Sequence, residues 1–191
     1  MKKIIYLIIL TVSLFGYSQN PNLKLQNKID AHLNIPKKLV KNEICLIYEI
    51  NGGSTAYNRI MYYFVTEKGN IDIYKEERPK PYLKNEKLKS TIVKVDTTNE
   101  MNDKIIHLIN SKELNELLKY SQKDFRKIIP ELKNLPPCMI TDHNEYKLIF
   151  IQNNKQSSYR YYYPKYFYET CSDKRINKPV LKKFINVLDL F

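Results

Sequence analysis

The sequence predicts an α+β fold, in which one antiparallel sheet is packed by two or three helices. Between residues 43 and 76, three runs of β-branched and aromatic residues are separated by short turns that contain glycine. A further pair of such runs surrounds the polar stretch at 153–156. The apolar residues recur with a helical period after Ser111 and again after Asn177. Neighbouring strands followed by helices are typical of the α+β class.

The N-terminus has the pattern of a secretory signal peptide over residues 1–18. Two lysines precede an apolar run from Ile4 to Phe15, and the small residues Gly16 and Ser18 suit a cut after Ser18. The run is short for a membrane span, although an uncleaved anchor is the alternative interpretation. No stable membrane span is expected after removal of the signal. We therefore predict an exported protein, periplasmic or extracellular, with residues 19–191 as a single globular domain.

The charge balance is strongly positive, with 32 Lys and Arg against 20 Asp and Glu and a net charge of +12. This balance favours an acidic partner, an anionic membrane surface or simple solubility. The lysines are spread along the whole chain rather than concentrated in one stripe, so nucleic acid is not expected to bind. The expected partner is another protein.

The first element after the signal is a short helix. Leu25, Ile29 and Leu33 recur every four residues, and Pro36 ends the pattern. Three strands then follow at 43–50, 57–66 and 70–76, joined by the turns Asn-Gly-Gly-Ser-Thr and Glu-Lys-Gly-Asn. Consecutive strands with short turns predict an antiparallel meander.

The next segment is more polar. Residues 78–89 predict a surface loop rich in proline and lysine, 90–96 alternate as an edge strand does, and 97–103 are expected to be irregular. Lysine and proline at a sheet margin are a usual protection against edge-to-edge aggregation.

Two helices close the pattern. Ser111 suits an N-cap and Pro130 a stop, which predicts one helix between them with the apolar stripe Leu114, Leu117, Leu118, Phe125 and Ile128. The last helix begins at Asn177 with Pro179 near its first position, and its stripe is Val180, Leu181, Phe184, Ile185 and Leu188.

The C-terminal hairpin predicts a cysteine pairing. If its turn is centred between Asn154 and Lys155, Phe150 faces Tyr159, Leu148 faces Tyr161 and Tyr146 faces Tyr163, all on one core face. The same register places Cys138 opposite Cys171, so we predict a disulfide between them. Cys45, inside an apolar strand, is then a buried free thiol.

Catalytic machinery is not evident. The three histidines, His32, His107 and His143, lack ligand spacing, and the polar run at 142–145 is better explained as a turn than as a metal or acid/base site. Glu76 and Glu77 adjoin basic residues and are expected to be solvated. With four glycines in the chain, no phosphate-binding loop fits. The sequence therefore predicts a protein that is not an enzyme and uses no cofactor or metal.

Recognition is the remaining possibility. Tyrosine offers a large contact area with few rotatable bonds. The candidate partner-binding residues are Arg160, Tyr162, Lys165, Tyr166 and Tyr168, with 165–170 irregular after Pro164. The alternative is a sheet face that a helix or loop covers, and both interpretations stay open.

Two stretches resemble a known family. Residues 43–76, with their double glycine and Gly-Asn turn, are similar to the opening of the emfourin-like inhibitors of thermolysin-type metallopeptidases, and 140–190 resemble the second half of those inhibitors. The chain differs from them by its cysteines and by the 78–103 insertion. The resemblance implies a small exported protein that binds and blocks a peptidase, and its double glycine adds Gly52 and Gly53 to the candidate residues.

The predicted function is therefore an exported, non-enzymatic protein-recognition module, such as an inhibitor or an immunity protein. The alternative is a periplasmic carrier of lipids or small ligands, or an accessory protein of the envelope. An enclosed cavity would favour the carrier, whereas a solid core with an exposed aromatic patch would favour the binding protein.

Overall fold

The computed structural model describes residues 20–53, 55–83, 88–132 and 137–191. The predicted signal peptide, residues 1–18, lies outside the described residues.

Seven antiparallel strands form one sheet. They are β1 (Asn27–Lys28), β2 (Ile44–Asn51), β3 (Tyr57–Val65), β4 (Ile71–Pro79), β5 (Thr91–Val95), β6 (Glu145–Gln152) and β7 (Lys155–Tyr162), in the spatial order β1-β7-β6-β2-β3-β4-β5. The predicted meander, edge strand and hairpin are confirmed. The hairpin joins the meander through β6, which pairs with β2, so β2 lies at the centre of the sheet.

Four α-helices are described: α1 (Asn99–Asn110), α2 (Lys112–Leu117), α3 (Pro164–Glu169) and α4 (Lys178–Leu188). Single 3₁₀ turns occur at Gln122–Phe125 and Pro130–Leu132. The α+β class is confirmed.

The larger core lies between the helices and one face of the sheet. From the strands it takes alternate residues, because successive side chains point to opposite faces. Leu46, Leu148 and Phe150 are completely buried there, as are Leu108, Leu117 and Phe184 from the helices. The C-terminal helix presents the predicted stripe, and Val187 is buried in addition.

The opposite face of the sheet is divided into two halves. In one half, Cys45, Ile47, Ile60, Tyr62, Phe64, Ile149 and Ile151 form a second core, which Ile29, Leu33, Ile35 and Leu39 of the N-terminal segment cover. Lys37 fastens this segment, since its Nζ lies 2.8 Å from both Glu43 and Asp72. The other half carries charged side chains.

The predicted first helix is wrong. Leu25 packs into the helix-side core while Ile29 and Leu33 pack on the opposite face, and β1 lies between them. The four-residue spacing therefore reflects a segment that passes round the β7 edge of the sheet. Tertiary contacts on both faces outweigh the local helical pattern.

The helical region between residues 97 and 130 also differs from the prediction. Thr98 caps α1, because its side chain accepts a hydrogen bond from Met101 N, so 97–103 are not irregular throughout. The helix predicted from Ser111 to Pro130 ends at Leu117, and Ile128 is 97% exposed. The Leu118 and Tyr120 carbonyls accept bonds from the Gln26 amide, which holds the chain in a non-helical path beside β7.

The predicted hairpin register is wrong by two residues. Asn153 and Asn154 form a two-residue turn with φ of 49° and 60°, the left-handed geometry of a type I′ turn. Phe150 therefore pairs with Ser157, Leu148 with Tyr159 and Tyr146 with Tyr161. A shift of two preserves the face of every side chain, so Tyr159 and Tyr161 still point to the core.

The disulfide between Cys138 and Cys171 is present, with a Cα–Cα distance of 6.1 Å. It lies beyond the open end of the hairpin, outside the strand pairing, because α3 intervenes between β7 and Cys171. The prediction that 165–170 are irregular is wrong: Pro164 occupies the first turn of α3, where a missing N–H is tolerated. Cys45 is a buried free thiol, as predicted.

Candidate functional site: the aromatic end of the sheet

The candidate partner-binding residues fall in three places. Gly52, Gly53, Tyr162 and Tyr166 converge on the turn at 142–144, which enters β6. Lys165 and Tyr168 face α4, and Arg160 lies on β7. We call the first group, together with His143 and Tyr163, the aromatic end.

Gly52 allows two loops to approach closely. Its φ is +121°, and a Cβ at this position would lie 2.6 Å from the His143 carbonyl oxygen. An L-residue would meet both backbone strain and a steric clash. The turn is further held by Tyr162, whose hydroxyl accepts a hydrogen bond of 2.9 Å from His143 N.

Three rings are stacked in parallel at this end. The His143 and Tyr163 rings are 3.8 Å apart at an interplanar angle of 3°, and the Tyr163 and Tyr166 rings are 5.9 Å apart at 5°. All three residues are half-buried. The stack therefore offers a flat, pre-organised aromatic edge to solvent, with the polar atoms of an imidazole and two phenols.

The backbone of Tyr163, the central residue of the stack, is in a strained conformation. Its φ is +38°, which is an outlier for a bulky side chain. The strain is sustained because Tyr163 N donates to Asn144 O at 2.9 Å and because α3 begins at the next residue. Strain of this kind concentrates at functional sites.

Lys165 and Tyr168 belong to a different surface. Lys165 Nζ lies 2.9 Å from Asp189 Oδ1, and Lys182 Nζ lies 5.3 Å from the centre of the Tyr168 ring. Tyr168 also borders an open groove of about 680 Å³ together with Lys178 and Pro179. These two candidates contribute to the α3–α4 surface rather than to the aromatic end.

Arg160 has a structural role through its backbone. The Gln122 side chain binds both its N–H, at 2.7 Å, and its carbonyl, at 3.0 Å, while the guanidinium side chain is exposed. Gln122 thereby occupies part of the outer edge of β7.

His143 is the residue that sequence analysis missed as a member of the site. It lies in a turn, as predicted, with Asp142 at φ +61°. Its ring partner is twenty positions along the chain, at Tyr163. Only the correct register of the β6–β7 hairpin brings the two together, so no local signal identifies the stack.

The expectation that Glu76 is solvated is wrong. It is 4% exposed and accepts hydrogen bonds from Tyr62, Arg78 and Ser90. Burial would raise the pKa of Glu76, but these hydrogen bonds hold it below the usual value. Burial and the Glu76 carboxylate together raise the pKa of Tyr62. Glu77 is half-buried, with 41% of its side chain exposed, and pairs with Lys75 at 2.9 Å.

Reactive groups are limited in the parts of the chain that are described. Burial raises the pKa of the Cys45 thiol, so this residue is protonated and inert. Within these ranges, no three His, Cys, Asp or Glu side chains are grouped as a metal site would need. Nor is any of the described helices long and apolar enough to cross a membrane.

No family model matches the chain, and no curated protein matches it.

Proposed function

We propose that the chain is an exported, non-catalytic protein-recognition module that contacts its partner through the aromatic end. The single observation that carries the proposal is the half-buried stack of His143, Tyr163 and Tyr166 on a strained backbone. Aromatic anchors with few rotors are enriched at the energetic centres of protein interfaces. A stack that is already ordered loses little conformational entropy on binding.

The packing of the sheet favours recognition over ligand transport. The helix-side core is filled, since Leu46, Leu148 and Phe150 have no exposed surface. The cavity of about 680 Å³ beside Tyr168 is an open groove on the surface and not an enclosed chamber. A carrier of lipids would instead need an enclosed apolar cavity.

The charge and the family resemblance suggest the kind of partner. A protein of net charge +12 associates faster with an acidic surface. The resemblance to emfourin-like inhibitors makes a thermolysin-type metallopeptidase the first partner to test, and an immunity role against a toxin is the second.

The test is affinity capture from envelope extract and culture medium with the purified protein as bait. The variants are Tyr166→Ala, which shortens the stack, and Tyr120→Ala as the matched control, because Tyr120 is also half-buried but lies beside α4, with its ring 5.9 Å from Lys183 Nζ. We expect the wild type and Tyr120→Ala to capture one common partner and Tyr166→Ala to lose most of it. Equal capture by all three proteins would overturn the assignment of the surface.

The peptidase hypothesis has its own measurement. Increasing amounts of the purified protein are added to a thermolysin-type metallopeptidase, and cleavage of a fluorogenic peptide is followed. We expect inhibition that saturates at one protein per enzyme and that His143→Ala weakens. Full activity at a large molar excess would exclude this class of partner and leave the immunity role.

A further inference from the structure

The two edges of the sheet differ: other segments cover the β7 edge, whereas the β5 edge is open. Along β7, β1 pairs with Lys155 and Gln156, the Ser157 hydroxyl accepts a bond from Gln26 N, and Gln122 occupies the backbone of Arg160. Along β5, every ladder pair is with β4, from Thr91 opposite Glu77 to Val95 opposite Ile73. Within the described ranges, no other backbone segment is hydrogen-bonded to β5. This edge therefore presents unpaired N–H and C=O groups.

The side chains of β5 leave the edge accessible from both sides. Ile92 and Val93 point to opposite faces of the sheet and are 50% and 54% exposed. Open edges are normally guarded by a projecting charge, a proline or a bulge. The strand Thr91–Val95 contains no proline, and its pairing with β4 is regular.

The one charged residue of the strand does not guard it. Lys94 Nζ lies 2.7 Å from Asp72 Oδ1 on the neighbouring strand, so its charge is paired above the sheet face and does not project past the edge, although 61% of the side chain is exposed. The aliphatic part of the Lys94 side chain then lies beside Ile92, which is on the same face.

We propose that the β5 edge binds an extended segment of a partner protein by strand addition, and that this segment alternates apolar with acidic residues. On one face, its side chains would meet Thr91, Val93 and Val95, which are all β-branched. On the other face they would lie beside Ile92 and Lys94, where a carboxylate would share the Lys94 ammonium group with Asp72. Main-chain hydrogen bonds supply affinity in this mode, and the alternating side chains supply specificity.

The charge of Lys94 favours this acidic partner over a second copy of the chain as the occupant of the edge. Two β5 strands paired antiparallel about Val93 would place Lys94 of each copy opposite Ile92 of the other, with both lysines on one face. Such a pair supplies no carboxylate next to Lys94, whereas an acidic segment does. The inference concerns a surface separate from the aromatic end, so it does not rest on the proposed function.

The experiment uses a fluorescein-labelled nonapeptide of alternating valine and glutamate, and its binding is measured by fluorescence anisotropy. Two control peptides accompany it: one with lysine in place of glutamate, and one N-methylated at alternate backbone nitrogens, which cannot form a full ladder. We expect each control peptide to bind at least about tenfold more weakly than the parent.

The protein variants are Val93→Lys and its matched control Val40→Lys, because Val40 is a 64% exposed valine outside the strands. Circular dichroism verifies that both are folded. Only Val93→Lys should lose peptide binding, and Tyr166→Ala should retain it, which separates this surface from the aromatic end. Equal binding to both valine variants, or undiminished binding of the N-methylated peptide, would overturn strand addition. A wild-type dimer that Val93→Lys dissociates would make a second copy the occupant and overturn the acidic segment.

Discussion

Single residues at the aromatic end combine structural and recognition roles. Position 52 needs glycine because a side chain there would clash with the His143 carbonyl oxygen. The Tyr162 hydroxyl holds the same turn by accepting a hydrogen bond from His143 N. The rings of the His143–Tyr163–Tyr166 stack are half-exposed at the same place, as is Tyr162. Recognition and stability are therefore coupled at this corner of the molecule.

The first prediction concerns Gly52→Ala. We expect a loss of unfolding free energy of about 2–4 kcal/mol, because the new Cβ is strained and also displaces the 142–144 turn. Gly69→Ala is the control: Gly69 has φ +81° but no atom within 4 Å of a Cβ, so only the conformational cost of about 1–2 kcal/mol applies. Urea denaturation of both variants measures the difference, and equal losses would show that the close approach to His143 contributes nothing.

The second prediction concerns the pH dependence of stability at Glu76. Since its pKa is below the value of 4.5 expected for an unfolded chain, its interactions stabilise the fold above that pH. The stabilisation is lost as the pH falls through the lower folded-state pKa. Glu76→Gln should therefore be less stable than the wild type at pH 7, with the difference shrinking as the pH falls below 4.5 towards the lower folded-state pKa.

The measurement is urea denaturation of wild type and Glu76→Gln between neutral and acidic pH. Glu100→Gln is the control, because the Glu100 side chain is 80% exposed. A stability difference for Glu76→Gln that stays constant across the whole range would contradict the assignment.

At the scale of elements, the disulfide stabilises the helix-bearing end of the hairpin. It joins residues 33 positions apart and encloses β6, β7 and α3. The third prediction is that Cys138→Ser/Cys171→Ser lowers the unfolding free energy by about 3–4 kcal/mol, the value that loop entropy gives for this separation. Reductant added to the wild type should produce the same loss in urea denaturation. An unchanged unfolding midpoint under reducing conditions would be evidence against this role.

The elements that sequence analysis predicted correctly are those whose pattern is local. The meander, the edge strand and α4 each present their own periodicity and turn residues. The prediction of a first helix was wrong because Leu25 and Ile29 pack against opposite faces of the sheet. The hairpin was predicted correctly except for its register. The predicted turn was centred one residue too late, because Asn153 and Asn154 both adopt the left-handed conformation and form the turn themselves.

The candidate site was predictable only in part for the same reason. Tyr162, Tyr166 and Gly52 could be selected by residue type, but the stack depends on the contact of His143 with Tyr163 across the hairpin. The disulfide was predicted from a register that proved wrong. The pairing was nevertheless correct, because both cysteines lie beyond the open end of that hairpin.

At the scale of the whole molecule, the helices cover one face of the sheet, and an N-terminal segment that is neither helix nor strand covers half of the other. The second cover is the segment from Ile29 to Leu39, which seals Cys45 and its neighbours from water. Lys37 fastens it by pairing with Glu43 and Asp72 and by lying 5.2 Å from the centre of the Phe64 ring.

The fourth prediction uses Cys45 as a reporter of this cover. Ile35→Asp should loosen the segment, because a carboxylate is costly to bury against the apolar cluster that contains Cys45. We expect the rate at which a thiol reagent labels native Cys45 to rise at least about tenfold. Val40→Asp, at a 64% exposed neighbouring position, is the control and should label at the wild-type rate. Identical rates in all three proteins would show that the segment does not shield the thiol.

The position of Cys45 also has a consequence for oxidative folding. A chain with Cys45, Cys138 and Cys171 has three possible single disulfides, and two of them would trap a misfolded product. Cys45 lies opposite Ile151, and Cys138 and Cys171 flank the hairpin that contains Ile151. In the folded chain the hairpin and α3 bring Cys138 and Cys171 together, while Cys45 lies on β2 beneath the segment from Ile29 to Leu39. The fold that buries Cys45 therefore excludes the two unwanted pairings and leaves only the native one.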